Sequence, residues 1–183
     1  MPLREILFLL ATLALVYVSR TALLHPRSHG FYRFLAWECI LAQLALNAVY
    51  WFVRPLAWNQ LISWVLLCAS LYLVVAGARL LHMQGRQNAQ RGGEALLGFE
   101  QTTSLVTTGI YAYIRHPMYS SLLCLAWAVF FKAPGWLAAA LAGASSAFLL
   151  LTAVAEEAEN RAYFGEVYDQ YCRITHRFIP FIF

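Results

Sequence analysis

Charge is scarce in this sequence. Asp, Glu, Lys and Arg make up 12% of its 183 residues, against 61% hydrophobic, and a soluble domain carries about twice that share of charge. The deficit excludes an ordinary solvated surface and marks a membrane protein. The formal net charge is +4, but the basic residues are single arginines beside apolar segments, a distribution that serves topology rather than nucleic acid. Clustered cysteines are also missing. Cys39, Cys68, Cys124 and Cys172 form no CxxC pair and have no His partner at metal-ligand spacing, so no metal site is expected. Glycine patterns of the GxGxxG or Walker type are absent, so any nucleotide is bound outside the usual soluble folds. No A-x-A-like cleavage site follows the first apolar run, which therefore reads as a retained helix.

What the chain does have is apolar runs of bilayer length. A span needs about 20 residues to cross roughly 30 Å. Spans are expected at 5–24, 34–53, 61–81, 118–131 and 136–155, giving an all-α polytopic bundle of about five transmembrane helices in one domain over 1–183. Trp37, Trp51, Trp58 and Trp64 fall near span ends as interfacial anchors. Gln43 and Asn47 share a face of the second span and suit interhelical hydrogen bonds, with a substrate-pocket wall as the alternative; Glu38 points nearly opposite and suits snorkelling. Residues 82–104 form the one long polar segment, read as a loop with an interfacial piece at 96–99 and as a candidate lid. Across five spans, Arg4, Arg54 and Lys132 lie on one side and the other ten basic residues on the opposite one. That asymmetry places the C-terminus and residues 105–119 in the cytoplasm.

The stretch 105–119, LVTTGIYAYIRHPMY, interrupts the apolar pattern. Pro117 fits the first position of a helix, and Arg115 and His116 precede a helix start whose N–H groups and dipole favour an anion. The fourth span rises roughly 21 Å and the fifth roughly 30 Å, so Arg115 and His116 fall within the membrane thickness, where ionisable groups line polar cavities. After the fifth span, Glu156 and Glu157 are expected to open a polar helix with Phe164, Val167, Tyr168 and Tyr171 on one stripe, lying along the membrane surface or against the bundle. Glu157 and Arg161 form an i, i+4 pair. The ending RFIPFIF is too apolar for a free tail and is expected to dock.

Both hairpin arms return to one side, so Arg115 and His116 should meet Glu156 and Glu157. Together they offer cations and amides for a carboxylate, glutamates for an amine or ribose diol, and Tyr111 and Tyr119 for an aromatic or sulfonium group. S-adenosylmethionine carries all of these. A plain helix start with a snorkelling arginine and a polar glutamate cap is the alternative that residue chemistry leaves open.

GIYAYIRHPMY, then EEAENRAYFGEVYDQY some forty residues on, then RFIPFI, resemble the isoprenylcysteine carboxyl methyltransferase family and its phospholipid-methylating relatives over about the last eighty residues. The resemblance implies an integral membrane enzyme moving a methyl group from S-adenosylmethionine to a lipophilic or prenylated membrane-embedded acceptor, a carboxylate or a thiol. It implies a cofactor pocket lined by Thr103, Ser104, Leu105, Val106, Tyr111, His116, Pro117, Met118, Tyr119 and Glu156. In the mechanism expected from it, Arg115 orients an anionic acceptor and Glu157 accepts a proton from an amine. Thr152 stands where eukaryotic prenylcysteine enzymes carry a substrate arginine, and Ser121 where many members have glycine. An NADPH-dependent membrane reductase of the sterol or steroid type, and a non-catalytic lipid-binding scaffold, are the alternatives.

Overall fold

The computed structural model describes residues 3–84 and 104–179. Among them run seven α-helices: α1 (Leu3–Val18), α2 (Arg20–Leu23), α3 (His29–Asn47), α4 (Trp58–Gln84), α5 (Pro117–Lys132), α6 (Trp136–Phe164) and α7 (Glu166–Ile174). Short 3-10 turns follow α3 at Ala48–Tyr50 and precede α5 at Gly109–Ala112. The described residues contain no named strand, and one parallel bridge joins Ile114 to His176.

Two helices, α4 with 27 residues and α6 with 29, are long and apolar enough to cross a membrane. Their flanks, and α1, expose large apolar side chains such as Leu13, Val65 and Leu71, each about two-thirds accessible. Such a surface belongs in lipid. The expected first span is interrupted, because its regular helix ends at Val18 and a separate short turn follows. The second starts earlier than expected, at His29, where Ser28 caps the helix by accepting from the Phe31 amide at 3.1 Å, and stops at Asn47. The hairpin arms α5 and α6 match their expected starts, but α6 continues through Glu156 and Glu157 to Phe164. Those glutamates therefore extend a membrane helix instead of opening a new one. No residue between 156 and 164 breaks a helix; Gly165 does, at φ +61°, a conformation glycine adopts without steric cost.

Packing pairs α4 with α5 and α3 with α6, and the α5–α6 hairpin joins the pairs. The contacts use small residues and buried amides. A Cβ on Gly77 would lie 3.2 Å from the Pro117 ring, and the Ser70 hydroxyl donates to the Ser121 carbonyl at 2.8 Å. Ser121 therefore sits where α4 approaches α5 closely. The shared amide face of α3 ties it to the hairpin: Gln43 donates to the Ala138 carbonyl at 2.9 Å and Asn47 to that of Val129 at 2.7 Å. Glu38 faces α1 and accepts from the Thr12 hydroxyl at 3.0 Å. Two of the expected interfacial tryptophans serve another purpose, since Trp51 and Trp64 flank the buried Lys132 ammonium, 3.3 Å from the Trp64 ring centre.

The described part of the ending, residues 177–179, docks as expected, and 180–183 lie outside the described residues. Phe178 is buried with Ala36, Tyr119, Leu149 and Ala153, and its carbonyl accepts from the Ser120 hydroxyl at 2.9 Å. This contact fixes the chain that runs beside the start of α5.

Candidate functional site

The start of α5 is held by the tail. The Arg115 amide donates to the His176 carbonyl at 2.8 Å, the His116 amide to that of Arg177 at 3.1 Å, and the His176 amide to that of Tyr113 at 3.0 Å. These two amides serve the tail and are not available to a ligand. Pro117 takes the first helical position as expected, with His116 at the cap position.

Below this clasp lies a buried charge cluster around Glu157, which is 1% exposed. Arg115 Nε donates to its Oε1 at 2.9 Å. Arg177 donates from Nε to Oε1 at 3.1 Å and from Nη2 to Oε2 at 2.9 Å, a bidentate fork. His116 Nε2 lies 3.3 Å from Oε1, and because an ionised carboxylate only accepts, that nitrogen is the donor. Burial pushes the Glu157 carboxyl up, but the bonds from His116, Arg177 and Arg115 outweigh it and hold the group well below the usual carboxylate range. Glu157 lies beyond the apolar part of α6, which ends at Ala155.

Arg115 is equally committed. Its Nη1 donates to the carbonyls of Cys172, at 3.2 Å, and Thr175. The expected Glu157–Arg161 pair is long, at 4.0 Å, and Arg161 binds Asp169 at 3.1 Å instead.

A cavity of about 280 Å³ opens above the cluster. Ser104, Leu105 and Val106 line it from the segment before the 3-10 turn, Tyr111 from the turn, His116, Pro117, Met118 and Tyr119 from α5, and Glu156 from α6. Every described residue expected to hold the cofactor thus meets in one space; Thr103 and residues 85–103 of the expected 82–104 loop lie outside the described residues, while 82–84 continue α4 and are not loop. Of the two residues given catalytic roles, Arg115 touches the cavity and Glu157 does not. The His116 ring stacks on Tyr119, with centroids 5.4 Å apart and planes 16° apart, and its Nδ1 lies 3.7 Å from Glu156 Oε2. Imidazole orientation is therefore fixed from three sides.

Sequence reasoning missed several lining residues. Phe164, Tyr168 and Tyr171 of the expected stripe turn inward, against the bundle, and line this cavity, whereas Val167 is turned outward at 62% exposure. The Tyr171 hydroxyl donates to the Tyr111 carbonyl at 2.6 Å. Burial raises the phenols of Tyr111, Tyr168 and Tyr171, and the Glu156 charge adds to the effect at Tyr111, so all three are neutral hydroxyls at physiological pH. Arg33 and Trp37 line the cavity from α3, and Glu159 and Asn160 from α6. The spacing of His29, Arg33 and Trp37, four apart on one helix face, was the available signal.

A second cavity of about 930 Å³, almost wholly apolar, lies between α4, α5 and the tail, with Leu66, Leu73, Leu123 and Trp127 among its walls.

A family model described as phospholipid methyltransferase matches residues 58–167. No curated protein and no solved structure matches the chain.

Proposed function

The chain belongs to the phospholipid methyltransferase family, and from that premise we propose that it moves a methyl group from S-adenosylmethionine to a lipophilic acceptor in the membrane. The observation that carries the reading is the convergence of Ser104 to Val106, Tyr111, His116 to Tyr119 and Glu156 on one cavity. The donor set fits the cofactor's chemistry. Glu156 is suited to receive an ammonium or a ribose diol, the His116–Tyr119 stack to form a flat wall beside it, and the tyrosine rings to surround a sulfonium by cation–π attraction. S-adenosylmethionine supplies an electrophilic methyl on a positively charged sulfur.

The chain's own residues contribute positioning and the exclusion of water. Tyr119 and Glu156 hold the His116 ring, and the Arg115–Glu157–Arg177 cluster anchors the tail that clasps the start of α5. Glu157 acts here as an anchor: its oxygens are taken by three cationic or imidazole donors, and its depressed affinity for protons makes it a poor base. Arg115 positions the site from beneath, since its Nε and Nη1 donate to Glu157 and two carbonyls. A carboxylate or thiolate acceptor needs no base; for an amine acceptor, Glu156 is the carboxylate that faces the cavity. The larger apolar cavity suits a hydrocarbon tail.

In this reading the chain is multi-pass, with α1, α3 and α5 joining α4 and α6 in the membrane and the site on the cytoplasmic side. A reductase binding a phosphorylated nicotinamide cofactor would want free clustered arginines, whereas Arg115 and Arg177 cluster around Glu157.

The test is a titration of the detergent-purified full chain with S-adenosylhomocysteine beside NADPH. Saturable binding of the first alone is expected, weakened at least about tenfold in His116→Ala and Glu156→Ala, the loss of roughly one charge-assisted hydrogen bond. Binding of NADPH alone, or unchanged affinity in both variants, would overturn the pocket as drawn.

A further inference from the structure

Helix α5 divides the two cavities. Met118 and Leu122 face the candidate cofactor space, while Ser120 and Cys124 face the apolar cavity of about 930 Å³. Each of the second pair lies two residues on from its counterpart, roughly 200° around the helix. The two spaces share no lining residue. A ligand seated in the apolar cavity is therefore screened from the cofactor space by the helix itself.

The walls of this cavity restrict what it can hold. Ile62, Leu66 and Leu73 come from α4, which is long and apolar enough to cross a membrane, so the cavity opens toward hydrocarbon. Among the described residues, no charged side chain lines it. The Ser120 hydroxyl is engaged within the protein, 3.0 Å from the His116 carbonyl and 2.9 Å from that of Phe178. Water finds too few polar partners in such a space. Along α5 the wall runs from Ser120 to Phe131, a rise of roughly 16 Å. That is about half of a hydrocarbon layer roughly 30 Å thick, the depth that one acyl chain fills.

The remaining wall is the back of the clasp. Phe178 and Ile179 line the cavity, and so does Ile114, which is 1% exposed and bridged to His176. These residues belong to the two segments whose Arg115, His116 and His176 amides hold the tail against the start of α5. The clasp thus has the cofactor space on one side, at His116, and the apolar cavity on the other.

We propose that one acyl chain of a bilayer phospholipid, distinct from any molecule in the cofactor space, occupies this cavity as a resident ligand and braces the clasp from behind. The inference rests on the multi-pass reading of the chain and not on methyl transfer.

The experiment extracts the full chain in an uncharged maltoside and weighs it by native mass spectrometry. Hydrogen–deuterium exchange of the clasp amides is then followed before and after the lipid is stripped by prolonged detergent washing, and again once palmitoyl-oleoyl phosphatidylcholine is restored. The wild-type chain should retain one phospholipid. Cys124→Trp, which puts a ring into the cavity, should lose it, and Leu71→Trp, which adds the same ring on the exposed face of α4, should keep it. Stripping should speed exchange over residues 113–116 and 176–178 by at least about fivefold, the low end of coupling between sites, and restored lipid should reverse the change. A wild-type chain that retains no phospholipid, or whose clasp exchanges at the same rate when stripped, would overturn the proposal without need of any variant. So would retention in Cys124→Trp, which would put the lipid elsewhere, or loss from Leu71→Trp as well, which would make it part of the general lipid shell. A wild-type dimer that Cys124→Trp separates would give the cavity to a second copy instead. Release of the chain from membranes by alkaline carbonate, without detergent, would sink the multi-pass reading itself, and retention through that wash leaves the lipid result to decide the site.

Discussion

Replacing Glu157 by Gln separates an anchor from a base. The side chain is 2% exposed, and Arg115 and Arg177 contact it at 10% and 23% exposure. Deleting the charge leaves two guanidiniums without their counterion, and breaking a buried pair costs about 3–5 kcal/mol. An isosteric amide keeps one acceptor, so about 3 kcal/mol is the expected loss. At about 2–4 °C per kcal/mol for a chain of this size, the unfolding midpoint in detergent should fall by roughly 6–12 °C, read by tryptophan fluorescence. The pH dependence follows from the depressed carboxyl. A group whose folded pKa lies below its unfolded value stabilises fully above the unfolded value, about 4.3 for Glu, and less as pH falls through the folded one. The gap between wild type and Glu157→Gln should therefore be constant above about pH 5 and narrow as the solution is made more acidic. A variant that melts within 2 °C of wild type, yet loses turnover, would refute the anchor and restore Glu157 as the proton acceptor (the threshold being about 1 kcal/mol).

Two further substitutions probe the frame. Gly109 has φ +60°, and a Cβ there would lie 2.7 Å from Leu80 Cδ1; Gly109→Ala should cost about 1–2 kcal/mol from the backbone alone, plus a steric part that Leu80→Ala relieves in the double variant, as a double-mutant cycle of melting midpoints would show. Phe178→Ala empties the core contact that docks the tail, should cost about 3–5 kcal/mol, and should weaken S-adenosylhomocysteine binding as well, since the tail carbonyls clasp Arg115 and His116; calorimetry that found stability lost but affinity kept would uncouple the tail from the site.

Much of the site was legible because it is local. Residues 104–119 lie in one short segment, and Pro117 announces a helix start whatever surrounds it. Gln43 and Asn47 were readable because a four-residue spacing fixes a shared face. Glu157 was not readable: its neighbour Glu156 looks the same in sequence, and only the 100° turn between them sends one into the cavity and the other into the cluster. Arg177 was counted as a topology charge because its partner lies twenty residues away across the Gly165 break. Arg33 and Lys132 were hidden for the same reason, since a basic residue near the end of an apolar run reads as snorkelling until packing shows it turned inward. Spans based on apolar length overshot at Val18 and stopped short at Ala155, because a helix ends where its backbone is broken and not where its hydrophobicity runs out.

The most direct measurement incubates the purified chain, reconstituted in a lipid extract, with S-adenosylmethionine labelled on the methyl group, and follows label into the organic phase. The account expects label in lipid with the wild-type chain and background with His116→Ala. Saturable S-adenosylhomocysteine binding with no label transferred to any lipid fraction would contradict it.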